Sequence, residues 1–383
     1  MSEHLTAAIF WISLLCLLYT YVAYPTLVRF VRRAPVLPSL AGSGRPCASL
    51  IVAARNEGKV IGLKVMEALR QLRPGDELIV VSDGSSDETD TLVAGVRDPR
   101  VRLLRQEPQQ GKNAALNRGE VQARGELLVF TDANAIPAPN ALERLLAPFE
   151  SPDVGLVSGR GLYGRGEASD TGMVSSAYVT YETGIRSGEA ALGFMAGVDG
   201  ALYAMRRELY SPLPHDLVHD LLHPIQVALA GRRVAFVPEA FTVEPPSIDA
   251  ANERRRQVRI IAQGFRVLVR TAPLLLRRGH FKEMWMLVSH RLLRWMGWLL
   301  ALIALVANAA LLEVHPLYRV LMAAQASFYA VAGAGALGEW LSVPLRILAL
   351  PYYFCLVSYA GLAGLLEALR GRTHSGWASA EHS

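Results

Sequence analysis

The chain has few cysteines and few lysines. Its 383 residues include only three cysteines, Cys16, Cys47 and Cys355, which lie far apart. This spacing excludes a disulfide framework and a cysteine-based zinc site. Only four lysines are present, so arginine supplies most of the cations behind the net charge of +5. The sequence contains no internal repeat, and a polar tail after Gly371 is its only low-complexity stretch.

The positive charge is concentrated in arginines beside apolar segments and in residues 254–259. No base-stacking motif accompanies these arginines, so a nucleic-acid partner is not expected. Basic residues next to apolar segments instead favour contacts with anionic lipids and phosphates.

An uncharged apolar run lies near the N-terminus. It covers residues 5–28 and is long enough to cross a hydrocarbon core of about 30 Å. Arg29, Arg32 and Arg33 follow directly, which indicates a cytoplasmic flank. A cleaved signal peptide is the alternative, but the run is long, its charges follow it, and no small-residue cleavage site stands out.

Three more runs near the C-terminus have the length of membrane helices, residues 295–312, 320–337 and 347–366. The middle run is the weakest because it contains Gly333 and Gly335 and is followed by Gly338. Before them, residues 281–294 mix apolar and charged side chains, as expected of a helix in the membrane interface. These segments predict an integral, multi-pass protein of the inner or plasma membrane, with the middle of the chain in the cytoplasm.

The middle of the chain alternates apolar strands with helical stretches. Strands are predicted at residues 48–54, 77–81, 101–104 and 126–130, and helices at 59–71, 87–96 and 113–124. This alternation predicts βαβ units and a mostly parallel sheet, so the fold class is α/β. Ligands of such folds bind where the carboxyl ends of the strands meet.

Short acidic motifs follow the predicted strands. Asn56-Glu57 and Asp83 end the first two, where a carboxylate can accept hydrogen bonds from a base or from ribose hydroxyls. Alternatively, Asp83 forms a turn and Asp87 caps the next helix. Two further motifs are Thr131-Asp132-Ala133-Asn134 and His219-Asp220.

The order of these motifs resembles the inverting family 2 glycosyltransferases with a GT-A fold, in particular their membrane-bound, polysaccharide-synthase-like members. The likeness extends from about Cys47 to Arg294. It rests on seven segments in order, residues 52–57, 81–87, 111–117, 131–134, 197–201, 219–220 and 256–259. The resemblance implies an α/β nucleotide-sugar-binding domain between transmembrane helices.

The resemblance divides the chain into five parts. These are a transmembrane anchor at residues 1–31, a GT-A domain at 45–265, interfacial amphipathic helices at 266–294, about three transmembrane helices at 295–368 and a polar tail at 369–383.

The family resemblance also implies a nucleotide-sugar donor, with UDP as the expected nucleotide. The residues assigned to the donor are Ala53, Arg55, Glu57, Asp83, Lys112, Arg256 and Arg259. Lys112 begins a helix and can place a point charge near a diphosphate, or it is a solvated surface lysine. Arg256 and Arg259 match the family's diphosphate clamp, with Ile260 in place of its tryptophan; a basic helix against anionic lipid is the alternative.

Asp132 and Asn134 are the expected ligands of a divalent metal, Mg²⁺ or Mn²⁺. They form a variant of the family's Asp-x-Asp motif, in which Asn134 offers a carbonyl oxygen with less charge than an acid. A hard cation there would neutralise charge on the departing nucleotide. The alternative is a simple turn after a buried strand.

His219-Asp220 occupies the place of the family's acidic pair. Inverting transfer needs one base for the acceptor hydroxyl, and Asp220 is the predicted base. Asp216 is the competitor, and either residue can instead cap a helix. His219 is expected to position its neighbour. Gly197, Asp199 and Gly200 are expected beside the acceptor, although their segment can equally form a tight turn.

Together these features predict a hexosyltransferase-like enzyme that adds sugar, with inversion, to a hydroxyl acceptor in polysaccharide or glycolipid synthesis. Two alternatives stay open: transfer of one sugar to a polyprenyl phosphate or glycolipid, and a catalytically silent membrane subunit of an export assembly. Expected partners are the donor, a sugar or lipid-linked acceptor and membrane lipids. A second copy or an export partner is also expected, because four spans are few for a polymer channel.

Overall fold

The computed structural model of the protein describes residues 2–30, 45–163, 171–244, 250–340 and 349–371. Arg32 and Arg33, the first residues of the predicted span at 347–366, and the tail from residue 372 lie outside the described residues.

The central domain is built on one mixed sheet of eight strands. The strands are β1 (Ala48–Ala54), β2 (Glu77–Asp83), β3 (Val101–Gln106), β4 (Leu127–Asp132), β5 (Ile136–Pro137), β6 (Val154–Tyr163), β7 (Leu202–Arg206) and β8 (Arg233–Glu244). Their order is β3-β2-β1-β4-β7-β6-β8-β5. The first four strands of this order run parallel, β7 is antiparallel to both of its neighbours, and β8 is parallel to β6. The predicted α/β class with a mostly parallel sheet is confirmed.

Fourteen α-helices are assigned within the described residues. They are α1 (Glu3–Leu18), α2 (Tyr24–Arg29), α3 (Gly58–Leu69), α4 (Thr89–Ala94), α5 (Lys112–Gln122), α6 (Ala141–Leu146), α7 (Thr171–Ala191), α8 (His219–Leu229), α9 (Ala250–Arg277), α10 (Phe281–Leu287), α11 (Leu293–Trp295), α12 (Gly297–Ala310), α13 (Pro316–Trp340) and α14 (Ala349–Leu369). A π-helical turn, Tyr19–Ala23, joins α1 to α2, and another, Val288–Leu292, joins α10 to α11.

The sheet separates two hydrophobic cores. Ile51 and Ala53 of β1 belong to one core, and Leu50 and Val52 belong to the other. Successive side chains of a strand point to opposite faces, so a strand covered on both faces is apolar throughout. This burial explains why the strand at residues 48–54 was predicted with its observed bounds.

Within the part of the chain that the structure describes, three helices are long and apolar enough to cross a membrane, Glu3–Arg29, Pro316–Gly338 and Pro351–Leu369. The segment Pro316–Gly338, predicted as the weakest span, is among them. The predicted span at residues 295–312 forms only the 14-residue helix α12. With Phe281–Trp295 it makes a pair bent by 62°, which gives up to four spans if the pair is counted as one.

The long helix α9 connects the sheet domain to the membrane-side helices. It runs without interruption from Ala250 to Arg277, so the predicted domain boundary between residues 265 and 266 falls inside it. Along its length it packs against α14, where a Cβ on Gly364 would lie 2.7 Å from the Ile261 side chain.

Candidate active site

The carboxyl ends of β1, β2 and β4 meet at one edge of the sheet. Ala54 pairs with Ser82 and Ala53 pairs with Asp132, so the strands end at the same level. The predicted donor-side motifs therefore come together, with Ala53 buried in β1 at the base of the site. The Nε atom of Arg55, just beyond it, is buried and has no hydrogen-bond partner among the described residues.

Asp83 is completely buried at the end of β2 and organises the loop before α5. One oxygen accepts hydrogen bonds from the Gln106 side chain at 2.6 Å and the Gln110 N–H at 2.8 Å. The other accepts from the Gly111 N–H at 2.7 Å. These bonds place Lys112, which begins α5, beside the site.

Asp87 joins the loops that follow β1 and β2. Its carboxylate accepts hydrogen bonds from the Gly58 N–H at 2.8 Å and from the Thr89 N–H at 3.0 Å, close to the start of α4. These and the Thr89 hydroxyl bond lower the pKa of Asp87, although partial burial opposes the shift. The capping interpretation of Asp87 agrees with this arrangement.

Lys112 and Asp132 form an ion pair with a separation of 2.5 Å. Both side chains are about one-third exposed, so the pair is open to a ligand. Lys112 is therefore not an isolated surface lysine, because it lies against the acid predicted to bind the metal. Asn134 is partly buried two residues further along.

Glu57 faces the same edge. Burial, followed by the charge of Asp132, raises the pKa of Glu57 to about 7. Its Oε2 atom is buried without a hydrogen-bond partner among the described residues. An unpartnered carboxylate oxygen beside a second carboxylate is the environment that a cation or a hydrogen-bond donor would stabilise.

Lys64 is a buried residue of the site that the sequence analysis did not identify. Its ammonium donates a hydrogen bond to the Thr131 hydroxyl at 2.7 Å and another to the Ala135 carbonyl, so it bridges the two ends of the Asp132-Ala133-Asn134 turn. Burial lowers the pKa of Lys64 to about 7. A signal existed, because Lys64 lies on the core face of α3 with Ile61, Val65 and Ala68.

Replacing Lys64 by methionine is expected to change how stability depends on pH. The lysine pKa falls from 10.5 in the unfolded chain to about 7 in the folded protein, so between these values the unfolded chain holds more protons. The wild type should therefore gain stability over Lys64→Met as pH rises above 7, by up to about 1.4 kcal/mol per pH unit. Thermal unfolding at pH 7 and pH 9 measures this difference.

Lys59→Met is the matched control, because Lys59 is exposed on the same helix. Its unfolding temperature should follow that of the wild type at both pH values. If the difference in unfolding temperature between the wild type and Lys64→Met is the same at both pH values, the lowered pKa of Lys64 is contradicted.

Glu244, at the end of β8, also reaches this edge and was not predicted. Ile136 pairs with Val243, so Glu244 lies across from the end of the Asp132-Ala133-Asn134 turn. Burial and then the Asp132 charge raise the pKa of Glu244 to about 7, and Arg256 opposes this shift. No apolar strand signal marks β8 at this point, since burial alternates along its second half.

The oxygen-rich edge fits a divalent cation. Asp132 supplies a carboxylate and Asn134 an amide oxygen, the hard ligands that Mg²⁺ and Mn²⁺ prefer. Among the described residues, however, no three acidic, histidine or cysteine side chains converge as a complete metal site. Substrate phosphate oxygens would therefore have to complete the coordination, as is usual for Mg²⁺.

Arg256 and Arg259 of α9 approach the site from the side of β8. Arg256 opposes the burial that raises the pKa of Glu244, while the charge of Asp132 favours the protonated form of Arg259. Burial lowers the pKa of Arg259, and the nearby Arg256 adds to this effect. Two guanidinium groups held near one another at a carboxylate-rich edge form a suitable environment for a diphosphate.

Asp220 lies in the first turn of α8. Its carboxylate is half-buried and has no hydrogen bond to another side chain within the described part of the chain. Burial raises the pKa of Asp220, although Arg291 and Lys112 oppose the shift. The competitor Asp216 is instead held by Arg270, with contacts of 3.1 and 2.5 Å.

His219 and His223 lie in an aromatic cluster below Asp220. Burial lowers the pKa of His223 to about 3 and holds the pKa of His219 well below its usual range. Both imidazoles are therefore neutral. The Nδ1 atom of His223 is 2.9 Å from the Tyr203 hydroxyl, and the His219 ring packs edge-on against Tyr203. His219 thus packs beneath its neighbour, as a positioning residue would.

Residues 193–200, here called the acceptor loop, pass directly in front of α8. A Cβ on Gly200 would lie 3.6 Å from an Asp220 carboxylate oxygen, so this glycine leaves space beside the predicted base. Gly197 has a φ of +134°, which favours glycine. Asp199 forms an ion pair with Arg186 at 2.9 Å. The three predicted acceptor residues are therefore gathered near Asp220.

Comparison with known proteins finds similar proteins for the sheet domain. Residues 49–210 match the family described as Glycosyl transferase family 2. A solved mannosyltransferase from Pyrobaculum calidifontis, PcManGT in complex with GDP-Man and Mn²⁺, has the same fold, with a TM-score of 0.71 over 97% of this chain and 99% of that one at 20% identity. Residues 49–210 are therefore similar to family 2 glycosyltransferases, and the chain has the fold of this mannosyltransferase, the predicted GT-A fold.

The particular relatives match only parts of the chain. The succinoglycan biosynthesis protein ExoO of Rhizobium meliloti (strain 1021) is 36% identical over 101 residues, 26% of this chain and 29% of the relative. The beta-monoglucosyldiacylglycerol synthase of Synechocystis sp. is 33% identical over 121 residues, 30% of this chain and 25% of the relative. Coverage of these relatives is thus between a quarter and a third of their length.

Proposed function

We propose that the protein is a membrane-bound, inverting glycosyltransferase that moves a sugar from a nucleotide-sugar donor to a hydroxyl acceptor. The observation that carries this proposal is the position of Asp220. Its carboxylate is half-buried, has a raised pKa and lies beside Gly200, while the other carboxylates that line the donor edge come from different elements.

The donor occupies the edge formed by β1, β2 and β4. Asp83 holds the loop that presents Lys112, and Glu57 faces the nucleoside side with its unpartnered oxygen. Arg256 and Arg259 hold the diphosphate together with Lys112. Asp83 is completely buried and both of its oxygens accept hydrogen bonds from protein groups, so it acts on the nucleoside through this loop.

Asp132 and Asn134 would hold a divalent metal through their side-chain oxygens. When bound, it would neutralise charge that develops on the departing nucleotide. Lys112 would then exchange its contact with Asp132 for a contact with phosphate. Lys64 holds the turn that carries Asp132 and Asn134, so the side-chain oxygens of these two residues keep their relative positions.

Transfer requires one proton acceptor on the side opposite the diphosphate. Asp220 removes the proton of the acceptor hydroxyl, and the hydroxyl oxygen forms a bond to the anomeric carbon. The bond between that carbon and the diphosphate oxygen breaks, and the nucleoside diphosphate leaves with the electron pair. Because attack and departure occur on opposite faces, the configuration at the anomeric carbon inverts.

The relatives support a product at the cell surface. One is named for succinoglycan biosynthesis and another for glycolipid synthesis, so a polysaccharide or a glycolipid is the proposed product. The fold neighbour is solved with GDP-Man, whereas UDP is the nucleotide expected from the sequence. Both nucleotides therefore belong in a donor test. The apolar helices support a multi-pass membrane protein. The arginines that follow the first apolar run support a catalytic domain in the cytoplasm.

The test is nucleotide release from a panel of UDP- and GDP-sugars by the detergent-purified protein, with Mn²⁺, with Mg²⁺ and with chelator. We expect metal-dependent release from one donor, increased by an acceptor carrying free hydroxyls. Release that depends on polyprenyl phosphate and survives in Asp220→Asn would favour the phosphate acceptor. No release from any donor, with membrane lipids added, would favour the silent subunit.

A further inference from the structure

The acceptor loop is fixed from the membrane side. The Ala196 N–H donates a hydrogen bond to Glu189 at 3.1 Å, and the Ala196 carbonyl accepts one from Arg291 Nε at 2.6 Å. Both backbone groups of one loop residue are thus held by charged side chains from outside the loop. A Cβ on the next residue, Gly197, would overlap the Arg291 guanidinium, which shows how closely Arg291 packs on the loop.

Arg291 belongs to the π-helical turn Val288–Leu292, within the first helix of the bent pair. Such turns add one residue to a helical turn and are common at functional sites. Here the turn directs two adjacent side chains toward the catalytic domain. Arg291 reaches the acceptor loop, and His290 enters a buried polar network.

That network anchors the turn to two other elements. His290 lies 2.8 Å from Glu189 and 3.2 Å from Glu182, both on α7, and Arg294 donates to Glu182 at 2.6 Å. Tyr24 of α2 donates to Glu189 at 2.5 Å. Buried charges are retained only with such partners, because an unpaired one is costly. The turn, α7 and the N-terminal helix are therefore held as one unit.

Arg291 also acts on Asp220 through its charge. It is the strongest cationic influence on the Asp220 carboxyl, ahead of Lys112 and Arg186, while Asp199 is the opposing acid. The Val198 N–H, two residues after Ala196, donates to the Asp220 carbonyl at 2.9 Å. Arg291 thus has two effects on the predicted base. It contacts the loop that is bonded to Asp220, and its charge lowers the proton affinity of the Asp220 carboxylate.

We propose that Arg291 is a positioning residue that couples the membrane-side helix pair to the acceptor loop and to Asp220. The inference rests on the proposed function, in which Asp220 is the base. A shift of the helix pair would move the acceptor loop and change the basicity of Asp220 together. The acceptor side of the site would then be complete only when the helix pair is seated.

The first test is the pH dependence of transfer in Arg291→Gln. Loss of the cation raises the pKa of Asp220, so the acidic limb of kcat/KM should move to higher pH by about one unit. The donor KM should stay constant, and Arg291→Lys should restore part of the shift. Arg319→Gln is the matched control, because Arg319 is an exposed arginine of α13 paired with Glu313 outside the site, and it should leave the limb in place.

The second test is hydrogen exchange of the acceptor loop, which needs no activity. We expect the Ala196 and Val198 amides to exchange at least tenfold faster in Arg291→Gln than in the wild type and in Arg319→Gln. The inference would be overturned if the loop amides of Arg291→Gln exchange at the wild-type rate. It would also be overturned if Arg291→Gln raises the donor KM and leaves the acidic limb of kcat/KM in place. If the wild type itself transfers no sugar but the loop still exchanges faster in Arg291→Gln, the proposed function is refuted. The coupling between Arg291 and the loop then still holds.

Discussion

Asp220→Asn is expected to abolish sugar transfer while donor binding persists. The substitution keeps the size of the side chain and removes only its ability to accept the acceptor proton. General-base catalysis contributes factors of about 10²–10⁴, so a loss on the order of 10³-fold in kcat is expected. Titration of nucleoside diphosphate with Mn²⁺ should give the wild-type affinity, and product formation measures the loss.

Asp216→Asn is the control for this prediction. Asp216 is the competing acid in the same segment, but Arg270 occupies both of its oxygens. Its substitution should lower stability more than kcat. The assignment of the base would be wrong if Asp216→Asn lost transfer while Asp220→Asn kept it.

Asp132→Ala is expected to remove metal-dependent donor binding. Asp132 is the acid of the Asp132-Ala133-Asn134 turn and the partner of Lys112. Loss of outer-shell partners of metal ligands already costs 10- to 100-fold in affinity, so loss of the ligand should cost on the order of 100-fold. Calorimetric titration with nucleoside diphosphate, with and without Mn²⁺, measures the change.

Asp98→Ala is the matched control, because it removes an ion pair with Arg100 at a loop outside the site. Its donor affinity should equal that of the wild type. An equal loss of donor binding in Asp132→Ala and Asp220→Asn would contradict the separate roles given to the two acids.

The donor half of the site could be predicted from the sequence for a physical reason. Strands β1, β2 and β4 are buried on both faces, so they are continuous apolar runs whose ends are easy to locate. The residues that follow them must lie at one edge of a parallel sheet. Glu57, Asp83 and Asp132 were found by this logic, and the structure brings them together.

Residues that reach the site by distant pairing gave no such signal. Glu244 lies at the end of β8, which has an alternating burial pattern in its second half, and its place depends on pairing with the two-residue strand β5. Lys64 is the exception, because its spacing from Ile61, Val65 and Ala68 placed it on the core face of α3, but the sequence analysis did not use this signal. Arg291 reaches the site because it lies in a π-helical turn, and no hydropathy pattern predicts such a turn.

The membrane-side region shows the same limit. Hydropathy identified residues 295–312 as one span and 281–294 as a separate interfacial helix. The structure makes them two arms of one bent pair, with the bend next to Met296. Composition records how apolar each arm is, but the angle between them depends on packing against α7, α9 and α14.

The close packing of α9 on α14 affects how the protein can be dissected. The helix that carries Arg256 and Arg259 rests against the last apolar helix, with Gly364 providing the room beside Ile261. A water-soluble fragment ending near residue 265 would cut α9 in half and expose the surface that α14 covers. The sheet domain and the C-terminal helices therefore depend on each other for their packing. Biochemical work on the donor site requires the intact chain in detergent or lipid.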